Sequence, residues 1–219
     1  KKLLTGNEAI AEGVIESGVE VVSGYPGTPS TEVILTLLPQ EKELGIHIEW
    51  SINEKVAFEI AAGAAWAGKR ALVTMKMSGV NVAADSLASV AYSGCTGGLV
   101  VFVADDPGVS AGMPEEDSRY YAKSMVVPML DLASQQECLD YVKLAFEISE
   151  EIGGPIFLRS TTDISHVASD VETGKKSELE KREAHFERDI VKYTKAGATW
   201  CMAQHQDALS RLAEASKIS

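Results

Sequence analysis

The chain has 219 residues, of which 45% are hydrophobic, 24% charged and 6% aromatic, with only 3 Cys; that composition excludes disordered, collagenous and disulfide-scaffold classes. Its net charge of −12 opposes a phosphate backbone, so nucleic acid is excluded as a partner. The long apolar stretch Gly13 to Gly24 is broken by Glu16 and Glu20, so neither a signal peptide nor a membrane span is read there, and a cytoplasmic location is expected.

Residues 1–174 hold 11 Lys+Arg against 25 Asp+Glu, and residues 175–219 hold 9 against 7. An anionic ligand must then be held by local devices such as a metal ion or helix N-termini, because the overall field works against it. Cys95, Cys138 and Cys201 are too far apart for a CxxC cluster, so the chain by itself offers no cysteine set for an iron–sulfur cluster or a zinc ion.

In chain order, Thr5-x-x-Glu8 is a capping box that opens a helix to about Ser17, and Val19 to Gly24 reads as a buried strand. The loop Gly24-Tyr25-Pro26-Gly27-Thr28-Pro29-Ser30 follows, and Ser30 or Thr31 caps a helix to about Leu38. Ile46 to Trp50 is the next strand, Ser51-x-x-Glu54 reads as a second capping box before an Ala-rich helix to Gly68, and Ala71 to Met75 is the third strand. A helix from about Asn81 to Tyr92 and the strand Leu99 to Ala104 come next, then an acidic loop over 105–118. A short helix, a strand Val126 to Leu130, a helix capped by Ser134 and a strand Ile156 to Arg159 complete the pattern. About six strands alternating with helices predict an α/β domain over 1–166, a mostly parallel sheet covered on both faces. From 167 to 219 strands are expected to vanish, leaving a charged linker and a terminal helix from about Ala203 to Lys217 that could dock on a neighbour.

Three local patterns invite a chemical reading. Gly63-Ala-Ala-Trp-Ala-Gly68-Lys69 has P-loop spacing, but Arg70 stands where Ser or Thr must meet magnesium and the segment ends a helix, so a C-cap is the better account. Gly108-Val-Ser110-Ala-Gly112 matches a nucleophile elbow, with Asp131 and His166 following in the order of a hydrolase triad; Asp105-Asp106-Pro107 ends the strand too early for an elbow, and a glycine-rich surface loop is favoured. Glu54 is either only the last residue of its capping box or a functional acid. The second reading rests on its neighbours, since Ala57, Phe58, Ile60, Ala61, Ala62, Gly63, Ala64 and Ala65 make a helix apolar and small nearly all round, which is expected to be buried and closely approached. Its mouth lies beside the end of a parallel strand, where α/β sheets bind ligands.

A family resemblance runs through the chain in order and spacing. It is carried by Gly6-Asn7-Glu8-Ala9, Gly24-Tyr25-Pro26-Gly27-Thr28-Pro29-Ser30-Thr31-Glu32, Glu49-Trp50-Ser51-x-Asn53-Glu54-Lys55-Val56-Ala57, Thr74-Met75-Lys76 and Gly79-x-Asn81-Val82-Ala83-Ala84-Asp85. Over about residues 3–166 the sequence resembles the alpha subunit of indolepyruvate:ferredoxin oxidoreductase, among the thiamine-diphosphate-dependent 2-oxoacid:ferredoxin oxidoreductases. The resemblance implies a pyrimidine-binding domain, half of a thiamine diphosphate site. Glu54 matches the family's cofactor glutamate, which hydrogen-bonds ring nitrogen N1′ and so lets the 4′ nitrogen take the proton from thiazolium C2. Met77, Ser78, Gly79 and Asn81 match the segment that approaches the pyrimidine, and Thr28 and Pro29 the loop on the substrate side.

The same resemblance implies oxidative decarboxylation of a 2-oxo acid, with iron–sulfur clusters taking the electrons and ferredoxin as final acceptor. The chain has no Gly-Asp-Gly segment with a following Asn and no ferredoxin-like cysteine run. Mg2+ and the diphosphate are therefore expected on another domain or subunit, the clusters elsewhere in a homo- or hetero-oligomeric complex, and this chain alone is expected to be inactive. The family usually has other side chains where Met77 and Ser78 stand, and a serine- and glutamine-rich pattern over 110–117, so the particular oxo acid is left open. A non-catalytic α/β scaffold or regulatory domain that pairs with an active partner is the alternative, with a serine hydrolase using Ser110 behind it.

Overall fold

The computed structural model describes residues 1–111, 114–176 and 182–218. Its first element is a strand the sequence reading missed, β1 (Lys2–Thr5), which runs into α1 (Gly6–Glu16) through the expected capping box: Thr5 Oγ1 accepts from the Glu8 amide and Glu8 Oε2 accepts from the Thr5 amide at 2.8 Å. There follow β2 (Val21–Gly24), α2 (Thr31–Leu37), a 3-10 turn and the short α3 (Glu41–Leu44), β3 (His47–Trp50) and α4 (Glu54–Trp66). The centre of the chain is β4 (Ala71–Lys76), α5 (Met77–Ser93), β5 (Leu99–Asp105), α6 (Ser118–Met125), β6 (Met129–Asp131), α7 (Gln135–Ile152) and β7 (Ile156–Thr161). Then come α8 (Thr162–His166), β8 (Ala168–Val171), α9 (Ile190–Tyr193) and α10 (Ala198–Ile218).

The main sheet has 6 strands in the order β3-β2-β4-β5-β7-β6, every neighbouring pair parallel. The expected α/β architecture is therefore present. Its alternation is visible within single strands: Leu72 on β4 packs with α1, α2 and α7, whereas Ala71, Val73 and Met75 pack with Phe58, Ala61 and Leu87 of α4 and α5. Period-two alternation of apolar residues thus makes two cores, one on each face. Phe58, Phe102, Phe146 and Phe157 are fully buried, each contributing roughly 1.5–3 kcal/mol through burial.

Three sequence-based expectations are corrected. Strands do not vanish after residue 167, because β8 pairs antiparallel with β1, Lys2 opposite Val171 and Thr5 opposite Ala168; strands of four residues and low hydrophobicity carry too little pattern to be seen alone. The strand expected at Val126 to Leu130 begins only at Met129, since Val126, at φ 61°, is the left-handed C-cap of α6. Helix α5 starts at Met77 rather than about Asn81, directly from the end of β4. Helix α10 packs on this chain's own α5 and α7. The arm is pinned at several points: Arg211 donates to the Tyr92 carbonyl at 3.1 Å at the end of α5, Tyr193 meets Trp66 edge-on at 5.3 Å, and Gln204 donates to the Val191 carbonyl at 2.6 Å.

Candidate active site

Chain order in the sheet reverses between β2 and β4: β2 leads outward to β3, while β4 leads the other way through β5 to β7. Segments leaving the C-terminal ends of β2 and β4 therefore diverge and leave a crevice, the position where open α/β sheets hold ligands. Glu54, the loop that carries Thr28 and Pro29, and the start of α5 with Met77 to Asn81 all lie at this end of the sheet.

On one side stands Glu54. The structure corrects its local role: the N-cap of α4 is Asn53, whose side chain accepts from the Val56 amide at 2.9 Å, and Glu54 is the first helical residue. Ser51 makes no capping box; its hydroxyl reaches only Glu49, at 3.5 Å. A cap two residues later removes the capping-box explanation of Glu54, whose carboxyl makes no described hydrogen bond to the helix start. The residue is only 7% exposed, and no described residue donates a hydrogen bond to its carboxyl. It lies instead against Gly79: a Cβ there would stand 2.6 Å from Glu54 Cγ and 2.9 Å from Oε1. That glycine is required by the close approach of the carboxyl and not by a turn.

On the other side is the loop after β2. Gly24 closes β2 and accepts the Ser51 amide at 2.9 Å, tying the loop to the approach to Glu54. The Gly27 amide donates to Thr31 Oγ1 at 2.9 Å, Ser30 Oγ donates to the Gly27 carbonyl at 2.9 Å, and Thr28-Pro29 is a cis peptide. Pro29 is buried while Thr28 is exposed, its hydroxyl free of described partners. A bracket that sequence reading missed holds the loop from behind: buried Asn7 donates to the Pro29 carbonyl at 2.7 Å and to Glu32 Oε2 at 2.9 Å, with His166 Nε2 3.6 Å from the same oxygen. An Asn inside the first turn of an apolar helix was the available signal. Gly27 also rests on the stem of Lys76, where an added Cβ would meet Cγ and Cδ at 3.1 Å.

The remaining expected residues are distributed along the start of α5. Met77 is fully buried, Ser78 half-buried and Gly79 buried against Glu54, whereas Asn81 lies exposed beside Val82. Of the four, Gly79 is the one whose position meets the carboxyl.

The other patterns resolve differently. Lys69 and Arg70 lie at the opposite end of the sheet, where Lys69 pairs with Glu20 at 2.7 Å and Arg70 makes a two-pronged bond to Glu150 at 2.8 Å. Burial would raise the Glu150 carboxyl, but Arg70 and Arg182 hold it down at about 2. The elbow-like pattern assembles no triad among the described residues. Ser110 donates to Asp106, Asp131 is bound by Arg159 at 2.8 Å, and His166 faces Glu32; Gly112 lies outside the described residues. Asp106 organises the loop: burial alone would raise its carboxyl, yet bonds from Ser110, from Thr162 at 2.6 Å and from the Ala111 amide hold it at about 2. Its neighbour Asp105, bound by Arg159 Nε at 2.7 Å, is pushed up by burial.

Comparison with known proteins gives the family and the fold. Residues 12–211 match the family described as pyruvate flavodoxin/ferredoxin oxidoreductase, thiamine diphosphate-binding. The chain is 48% identical over 199 residues to the indolepyruvate oxidoreductase subunit IorA of Archaeoglobus fulgidus, covering 87% of this chain and 32% of that protein. It is 45% identical to the same subunit of Pyrococcus horikoshii, covering 88% of this chain and 30% of that protein. The chain thus spans about a third of the length of these curated relatives. A solved 2-oxoglutarate:ferredoxin oxidoreductase from Magnetococcus marinus shares the fold with a TM-score of 0.77 at 14% identity, over 99% of this chain and 45% of that one. With a matched profile that takes in β2 through α10 and the crevice built on Glu54, the chain belongs to the thiamine diphosphate-binding family of pyruvate flavodoxin/ferredoxin oxidoreductases.

Proposed function

We propose that the chain forms the pyrimidine-binding half of a thiamine diphosphate site in a cytoplasmic 2-oxoacid:ferredoxin oxidoreductase, acting on an arylpyruvate-type 2-oxo acid. The observation that carries this reading is Glu54, a residue only 7% exposed whose carboxyl has no described donor and faces a glycine at the start of α5. A carboxylate with no protein donor at the mouth of a crevice is open to a ligand, and a ring nitrogen sharing its proton with that carboxyl would supply the partner. The residues present therefore fit the aminopyrimidine. The names of the two archaeal relatives support the arylpyruvate class of substrate.

When bound, thiamine diphosphate supplies the carbon nucleophile for the 2-oxo carbonyl and the electron sink for loss of carbon dioxide. Glu54 would hold a proton at N1′ and fix the tautomer of the ring. Gly79 admits the ring edge beside the carboxyl. Met77 and Ser78 wall the first turn, and Asn81 stands on the exposed side that a diphosphate-binding partner would cover. Thr28, exposed on a loop anchored by Pro29, offers its hydroxyl to the oxo acid. Mg2+ and the diphosphate fall to that partner domain or subunit, iron–sulfur clusters to other parts of the complex, and ferredoxin to the role of acceptor.

Glu54→Gln in the assembled enzyme is the test. Because Asn53 is the cap, the variant should keep its melting temperature and lose turnover with every 2-oxo acid. Wild-type turnover in a folded variant would overturn the assignment.

A further inference from the structure

Residues 1–174 carry 11 Lys and Arg side chains. Among the described residues 8 of them pair with carboxylates, and Lys42 and Lys123 are exposed. Lys76 is the exception, half-buried and with no described carboxylate or hydrogen-bond partner. In a body with a large acidic excess such a cation would be expected to find a counter-charge within the protein, since burying an ammonium unpaired is costly.

Its position says what the missing counter-charge is. Lys76 is the last residue of β4 and the N-cap of α5, with no side-chain cap bond, so the first amides of a 17-residue helix open at the same end of the strand. Its stem runs under Gly27, next to Thr28, and three residues later Gly79 meets Glu54. The ammonium thus belongs to the strand end that joins the Thr28 loop to the Glu54 carboxyl. Leu72 and Lys76 lie on the face of β4 that carries α2, while Met75 faces α4 and α5, which places the cation on the side of the substrate loop rather than among the side chains packed around the Glu54 helix.

We propose that Lys76 is the substrate-binding cation of this site and pairs with the C1 carboxylate of the 2-oxo acid. The inference rests on the function proposed above and adds the group that selects an oxo acid over an uncharged carbonyl compound. A single ammonium beside uncapped amides suits one monoanionic carboxylate, and it needs no metal. Because the carboxylate leaves as carbon dioxide and loses its charge, the ion pair does not strengthen on the way to the transition state. Lys76 therefore governs capture more than chemistry.

The test uses the assembled enzyme with Lys76→Met, which keeps an unbranched stem beneath Gly27, and Lys76→Arg, which keeps the charge. With phenylpyruvate as probe, the Met variant should raise KM by about 10–100-fold while kcat changes by less than about threefold, and the Arg variant should recover most of the loss. Thiamine diphosphate affinity, measured by calorimetry with Mg2+, should stay within about threefold of wild type, because the ion pair belongs to the substrate. An unchanged KM would overturn the inference. A cofactor affinity that falls by a similar factor as KM rises would overturn it too, and would assign the ammonium to a phosphate oxygen. If the Met variant does not assemble, Lys76→Gln gives the same comparison. A wild-type enzyme that binds no thiamine diphosphate would instead refute the underlying reading.

Discussion

Replacing Gly79 with alanine separates the demands of the helix from those of the site. Within a helix the change stabilises by roughly 0.5–1 kcal/mol through backbone entropy. The new Cβ, however, would stand 2.6 Å from Glu54 Cγ and 3.0 Å from Cδ, whereas carbon atoms rest about 3.5–4.0 Å apart. Since the crowded atoms belong to a flexible side chain and not to backbone, Glu54 gives way by about 1 Å, at a cost that offsets the helix gain. Stability should change by less than about 1 kcal/mol, while a misplacement of about 1 Å in a reacting group costs on the order of 100-fold in rate, or about 2.7 kcal/mol of barrier. Urea unfolding of the chain and steady-state turnover of the assembled enzyme measure the two quantities. Gly63→Ala is the control: it is exposed within α4 with nothing within 4 Å, so it should stabilise by about 0.5–1 kcal/mol and leave turnover alone. Wild-type turnover in folded Gly79→Ala would refute the claim that the glycine exists to admit the carboxyl.

Two further outcomes concern local structure. Asn53→Ala removes the bond to the Val56 amide and should cost about 1 kcal/mol by urea titration, whereas Ser51→Ala should cost little, the reverse of what a Ser51 capping box requires. Asp106→Asn should destabilise the chain at neutral pH. The wild-type carboxyl is held at about 2, below its usual 3.8, so its stabilisation is present above about pH 4 and fades as pH falls through 2; the gap in stability between the two proteins should close over that window. A gap that persists at pH 2 would show that the loop's bonds, not its charge, are at stake.

What the sequence determined by itself was the parallel α/β plan, and it supplied Glu54 as the candidate acid. Strands such as Leu99 to Ala104 are nearly continuous runs of apolar residues, and capping boxes such as Thr5-x-x-Glu8 depend on contacts four residues apart or fewer; both kinds of signal are local, and both appear in the structure. Family spacing likewise pointed to Glu54, Gly79 and the Thr28 loop. Tertiary structure alone decided which signals were used. Ser51 and Asn53 are both good caps on paper, and the turn after β3 selects Asn53, which leaves the Glu54 carboxyl unengaged by the helix start. The pairing of β1 with β8, the return of α10 onto α5 and α7, and the bracket of Asn7 and Glu32 behind Pro29 join residues far apart in the chain. Such contacts leave no periodicity to read, because their stability comes from partners that only folding brings near. Lys76 belongs to the same group: in the sequence it is one basic residue after a buried strand, and only the structure shows it half-buried with no described carboxylate while most of the body's other cations are paired.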